Sequence, residues 1–384
     1  MMAAKHTSGH LIALAAGGTG GHVFPAEALA QELLNLGHRL VLITDNRGAA
    51  YGGTLGQLET LRVNAGAIAG RSLLGRASAM ANLGLGYFQA RQHLMHLRPA
   101  AVVGFGGYAA APTVLAASNL RIATVIHEQN AVLGRANRML AGRVQRICTS
   151  FDLVEPPPAG ATVIRTGNPV RPSIAAVRNT PYIAPAQTGP FRMLVLGGSQ
   201  GARIFSDVIP AAVAKLPRSL ARRLEIAQQC RPEDLERVEA AYAPLGLKTQ
   251  LSHFFDNVPQ LLANAHLMIT RSGASTVGEI TVAGRPAVLV PYPFAADDHQ
   301  TANAKALVEK HGAWLMPQDD FTPATLAAQL TQFLTKPELL ADVAAASSAF
   351  GTPDAASRLA AVVTALIRGA NGKHDSSHSA RGAA

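Results

Sequence analysis

The sequence predicts an α/β protein made of two doubly wound, Rossmann-like domains. Short β-branched or leucine-rich runs alternate with helical patterns along the whole chain, the signature of parallel sheets covered by helices. Two of these runs, 180 positions apart (197 − 17), lead into similar glycine turns, Gly17-Gly18-Thr19-Gly20-Gly21 and Gly197-Gly198-Ser199-Gln200-Gly201. With 384 residues, 48% hydrophobic and 15% charged, the chain is too long for one ordinary core and too apolar to be disordered.

In chain order, the first-half strands are expected at Leu11–Ala15, Leu40–Thr44, Ala101–Phe105, Ile122–Ile126, Arg146–Thr149 and Thr162–Arg165. A helix at Pro25–Leu36 separates the first two: proline opens it, Ala26, Leu29, Ala30, Leu33 and Leu34 form its apolar face, and Gly37 stops it. Second-half strands follow at Arg192–Leu196, Arg223–Ala227, Lys248–Ser252, Leu267–Thr270, Ala287–Val290 and Ala313–Met316. The expected organisation is a first domain over residues 9–168, a proline-rich linker at 169–190 and a second domain over 191–350. A helix at 351–368 returns to the first domain, and a polar, disordered tail covers 369–384.

Composition narrows the partners. The chain has 34 Lys+Arg against 24 Asp+Glu, a formal net charge of +10, which favours phosphorylated substrates or an acidic membrane surface. A GC-rich genome would raise arginine equally well. Nucleic acid is excluded as a partner, because aromatics are only 5% and none interleave with basic residues to stack bases. No apolar run approaches the roughly 18 residues that cross a bilayer, and the N-terminal run reads as a strand rather than a signal peptide. Cys148 and Cys230 fit no ligand or redox spacing and point to a reducing compartment.

The clusters that carry chemistry sit where strands end. A glycine turn between strand and helix brings backbone N–H groups up to an anion, and two such turns suit a diphosphate or two ligands. Nicotinamide binding is disfavoured because Val23 stands where a third glycine is needed, and the Walker pattern is absent because no Lys-Ser/Thr follows either loop. His22, at a helix start, is a candidate base, since a positive dipole end keeps an imidazole neutral. His127-Glu128-Gln129-Asn130 follows a strand and could read sugar hydroxyls. Arg271–Glu279 is a serine/glycine turn opening a helix, with Glu279 placed to accept a ribose diol; Asp297-Asp298-His299-Gln300 ends another strand.

Seven segments, in order, are Gly17–Pro25, Gly104–Tyr108, His127–Asn130, Gly167–Arg171, Gly197–Arg203, Arg271–Glu279 and His299–Asn303. Together they resemble the MurG family of bacterial glycosyltransferases. The resemblance implies a GT-B fold, its two domains facing each other across a cleft. It implies inverting, metal-independent transfer of N-acetylglucosamine from UDP-N-acetylglucosamine to undecaprenyl-diphosphate-linked N-acetylmuramoyl-pentapeptide, a step of peptidoglycan synthesis. By the same resemblance, Ser199 and its glycines hold the donor diphosphate, Glu279 the ribose, and Ala274, Ser275, Thr276, Val277 and Gly278 the loop beneath. Phe255 meets the uracil through its backbone, Gln300 and Asn130 bind sugar hydroxyls, and Arg171 approaches the donor. Thr19, Gly20 and Gly21 line the acceptor diphosphate, and His22 is the base, with Glu128 as the substitute. His299 departs from the family, which has glutamine there.

No cofactor or metal is implied, and the sequence has no Asp-x-Asp to hold one. Dipoles, N–H groups and cations must then stabilise leaving UDP. The resemblance places the protein peripherally on the cytoplasmic face of the inner membrane, near a cell-wall synthesis complex. Leu73 and Leu74, between Arg71 and Arg76, read as a membrane-dipping loop, while Met80, Leu83 and Tyr87 read as core. A soluble UDP-sugar 2-epimerase of the same fold and a non-catalytic nucleotide- or lipid-binding protein are the alternatives.

Overall fold

The computed structural model describes residues 9–18, 20–45, 52–66, 73–198 and 201–379, with side chains for all but 73–77 and 370–379. The chain forms two compact units. One holds the residues up to Arg171 together with those from Asp354 onward; the other is Pro172–Pro353.

Among the described residues the first unit has seven strands: β1 (Leu11–Ala15), β2 (Arg39–Thr44), β3 (Glu59–Arg62), β4 (Ala101–Gly104), β5 (Ala123–Glu128), β6 (Arg146–Thr149) and β7 (Val163–Arg165). They pair in parallel in the order β3-β2-β1-β4-β5-β6-β7. The central strands are apolar on both faces because helices cover both. One core joins β1 and β4 to helix α1 (Gly20–Asn35) and to the C-terminal helix through Leu359, Ala360, Val363 and Ile367. The other packs the same strands against α2 (Leu73–Leu97), α3 (Gly107–Asn119) and α4 (Arg135–Leu140).

The second unit repeats the plan with β8 (Phe191–Leu196), β9 (Leu224–Gln229), β10 (Lys248–Ser252), β11 (Leu267–Thr270), β12 (Ala287–Leu289) and β13 (Trp314–Leu315). Their order is β10-β9-β8-β11-β12-β13, again parallel. In both units the order reverses beside the first strand, the point where doubly wound sheets open a crevice for ligands.

Every strand expected from sequence is present, with ends displaced by at most two residues. β3 was not expected: Glu-Thr-Leu-Arg at a mostly exposed edge carries no apolar alternation. Helix α1 begins at Gly20, five residues before the expected Pro25, so His22 lies inside its first turn. Pro25 is the sixth residue of this helix, in its second turn, where it cannot make the i→i−4 bond to Gly21 O.

Three further expectations are corrected. Leu73 and Leu74 open helix α2 rather than lying in a loop, because the alanine- and leucine-rich run behind them propagates the helix to its first residues; their side chains lie outside the described residues. Met80 is 65% exposed rather than core, and Leu85 and Phe88, on the same helix, are exposed too. The C-terminal helix runs from Ala355 to Ser379, past the expected start of the tail, since no proline follows Pro353 to stop it. Segment 169–190 is also less linker-like than its prolines suggest. Arg178 donates to Val282 O and Ser348 O, and the Tyr182 hydroxyl donates to His266 O at 2.9 Å, tying it to the second unit.

Candidate active site

In the first unit the candidate residues gather at the C-terminal ends of β1, β4 and β5. Strand alternation divides the His127–Gln129 run: His127 and Gln129 project to one face and Glu128 to the other. His127 and Gln129 therefore meet α1, where His22 Nδ1 lies 3.0 Å from Gln129 Oε1. His127 Nε2 is 3.0 Å from Gly167 O, and Gln129 Nε2 is 3.1 Å from both His127 Nδ1 and His127 O. His127 is fully buried, and burial pushes its imidazole down to about 4, opposed by its bond to Gly167 O and reinforced by His22.

Glu128 faces the α4 side. One carboxylate oxygen accepts from Asn130 N (3.0 Å) and Asn130 Nδ2 (3.2 Å), the other from Gly134 N (2.9 Å) and Asn137 Nδ2 (2.8 Å). Four donors on a 2% exposed carboxylate hold the turn into α4. This corrects the reading of the cluster as a sugar-facing set: His127, Glu128 and Gln129 are interior, and only Asn130 is partly exposed.

Gly106 and Gly107 flank the His22 ring at ordinary contact distance. A Cβ on Gly107 would stand 3.5 Å from His22 Nε2 and one on Gly106 3.4 Å from Cε1, and both have positive φ (+73° and +84°). Gly20 and Gly21 form the first turn of α1, while Thr19 lies outside the described residues. Arg171, at the end of the first unit, stacks its guanidinium 5.0 Å over the ring of Phe24.

The second unit has its own cavity of about 460 Å³ at the C-terminal ends of β8 and β11, lined by Gly197, Gly198, Gly201, Arg203, Arg231, Arg271, Thr276 and Gln300. Gly197 is required there, since a Cβ would fall 2.3 Å from Ala202 N. Ser199 lies outside the described residues. Arg271 is pinned by Val290 O, Pro291 O and Gln318 Oε1, and burial lowers it to about 10, so it stays charged at neutral pH.

Helix Ala274–Ala283 starts at this cavity. Its first i→i−4 bond is Val277 N–H to Gly273 O at 3.0 Å, so the N–H groups before it belong to the unsatisfied first turn. The Val277 N–H is spent on that bond and its side chain is fully buried. Gly278 is likewise buried, as is Ala274. The Ser275 hydroxyl is buried and without a hydrogen-bond partner among the described residues. Glu279, half-buried, lies three residues after Thr276 and on the same side of the helix. Gln300 Oε1 accepts from Tyr292 N at 2.9 Å, which orients its amide. Phe255 turns its ring into the interior, whereas Phe254 is exposed.

Sequence reasoning missed Arg203, Arg231, Gln318 and Asn137. Their common signal, polarity beside a strand end, is too general to single them out.

Two parallel, doubly wound sheets are the architecture of the GT-B class. Residues 12–149 match the glycosyltransferase family 28 N-terminal domain and residues 192–359 its C-terminal domain. The chain is 59% identical to a protein of Paramagnetospirillum magneticum over 94% of its own length and 98% of that protein's. It is 55% identical to one of Rhodospirillum centenum over 94% and 96%. Both are named "UDP-N-acetylglucosamine--N-acetylmuramyl-(pentapeptide) pyrophosphoryl-undecaprenol N-acetylglucosamine transferase". A crystal structure of Acinetobacter baumannii MurG superposes with a TM-score of 0.75 at 32% identity, covering 92% of this chain and 99% of that one. The chain belongs to this MurG family of transferases. A UDP-GlcNAc 2-epimerase from Neisseria meningitidis, at 14% identity and TM-score 0.63, shares the fold alone.

Proposed function

We propose that this chain transfers N-acetylglucosamine from UDP-N-acetylglucosamine to undecaprenyl-diphosphate-linked N-acetylmuramoyl-pentapeptide, with inversion and without a metal. The observation that carries this reading is the His22 imidazole held at the ligand end of the first sheet, in a chain 59% identical to a transferase so named. His22 takes the proton of the acceptor hydroxyl, the oxygen attacks the anomeric carbon, and the sugar–phosphate bond breaks with the electron pair leaving on UDP. Glu128 is saturated with internal donors, which supports His22 over it as the base.

In the second unit, the glycine turn, Ser199, Ser275, Thr276 and the arginines receive the donor diphosphate, and Glu279 takes the ribose diol. Phe255 contributes backbone to the uracil, and Gln300 and Asn130 contribute hydrogen bonds to sugar hydroxyls. In the first unit, Thr19, Gly20 and Gly21 take the acceptor diphosphate, and Arg171 neutralises developing charge. No group of three His, Cys, Asp or Glu among the described residues could hold a metal ion.

The same reading places the protein on the cytoplasmic face of the inner membrane, next to a cell-wall synthesis complex. Exposed Met80, Leu85 and Phe88 and the formal charge of +10 support contact with an anionic surface. No described helix is long and apolar enough to cross a membrane.

The test is transfer of labelled N-acetylglucosamine to an undecaprenyl-linked acceptor, with and without EDTA. Label should reach the lipid in both arms, and His22→Ala should lower turnover roughly 100-fold or more at unchanged donor affinity. Absence of transfer, or full activity in His22→Ala, overturns the reading.

A further inference from the structure

Two backbone carbonyls set the proton positions of three side chains around His22. A carbonyl oxygen only accepts, so Gly167 O, 3.0 Å from His127 Nε2, requires the hydrogen on that nitrogen. His127 is fully buried and neutral, which leaves its Nδ1 a bare acceptor. The Gln129 amide faces this Nδ1 and the His127 carbonyl together, each at 3.1 Å. Both are acceptors, so the NH₂ end must point at them and Oε1 must point away. Oε1 then lies 3.0 Å from His22 Nδ1 and can only accept. His22 Nδ1 must carry the hydrogen, and the lone pair of the neutral ring falls on Nε2.

We propose that Gln129, itself oriented by His127, is a positioning residue that holds His22 in its Nδ1-protonated tautomer, so that Nε2 is the basic atom presented to the acceptor hydroxyl. The proposal rests on the reading of His22 as the base. Imidazole in water prefers the opposite tautomer, with the lone pair on Nδ1, so an unassisted His22 would present an N–H where a base is needed. His22 itself is only partly buried. When Nε2 takes the hydroxyl proton, the resulting imidazolium keeps its Nδ1–H bond to Gln129 Oε1, now charge-assisted and stronger. The amide neither gains nor loses a proton.

The experiment is ¹⁵N NMR of the full chain with labelled histidine at neutral pH, His22 being assigned by loss of its signals in His22→Ala. His22 in the wild type should be protonated on Nδ1 and bare on Nε2. Gln129→Met keeps the side-chain length without the acceptor; there His22 should shift toward Nε2 protonation. Turnover should fall roughly 10- to 100-fold, with UDP affinity within about twofold of wild type. Nε2 protonation in the wild type, or an unchanged tautomer in Gln129→Met, overturns the proposal. The wild-type spectrum needs no variant, so the proposal stays testable if Gln129→Met fails to fold. The two readings also fail separately: normal turnover in His22→Ala defeats the base, whereas the tautomer spectrum judges the role of Gln129.

Discussion

His127 and Glu128 are neighbours in sequence and opposites in consequence. His127 is neutral inside the fold at about 4, against about 6.5 when unfolded. Between those values the unfolded chain binds a proton that the folded chain does not, so stability falls as pH drops from 6.5 towards 4 and levels off below. The shift corresponds to about 3 kcal/mol at full effect. Urea unfolding of the first unit across this window should show the decline, and His127→Gln should flatten it; an unchanged slope would place its origin elsewhere. His266 in the second unit is pushed to about 4 mainly by burial and moves that unit in the same direction. Glu128, by contrast, accepts from four donors. Glu128→Gln turns an NH₂ toward two of them and should cost about 2–4 kcal/mol. Thermal unfolding checks this: loss of activity without loss of stability would restore Glu128 as a base.

At the scale of single elements, continuous apolar runs made the strands legible because both sheets are parallel and covered on both faces. β3 escaped because an exposed edge imposes no pattern on its residues. The start of α1 and the helical state of Leu73 escaped for another reason. Glycine and proline near a helix start read as breakers, although the first turn of α1 holds both glycines and its second turn holds Pro25. Helix Ala274–Ala283 shows how an element divides its residues between roles. Val277 and Gly278 face inward, while Thr276 and Glu279 share the outer side. Glu279→Ala should weaken UDP-sugar binding by about 1.5–3 kcal/mol, the loss of hydrogen bonds to a charged acceptor, with folding intact. Calorimetry decides it, and unchanged affinity would remove Glu279 from the donor site.

Over the whole molecule, the division into units does not follow chain order. The helix from Ala355 belongs to the first unit, where Leu359, Val363 and Ile367 are almost wholly buried against α1 and β4. Each such side chain contributes about 1.5–3 kcal/mol by burial, and their sum rivals the net stability of a domain. A chain ending at Pro353 should therefore lose the first unit's unfolding transition and expose apolar surface to a hydrophobic dye, although nothing before residue 172 has changed. A first unit that melts normally without this helix would contradict the packing.

The sequence by itself determined the two-fold α/β plan, every strand but β3, the glycine turns and the family, because each follows from local spacing and chemistry that neighbouring residues impose on one another. It could not say which members of a polar cluster face a ligand. That was decided by tertiary structure: Gly167 and Gln129 reach His127 and His22 across 40 and 107 positions, and only the folded sheet brings their acceptors within hydrogen-bond distance. The direction of a proton on His22 depends on those long-range carbonyl and amide contacts, which leave no trace in the spacing of the motif that contains them.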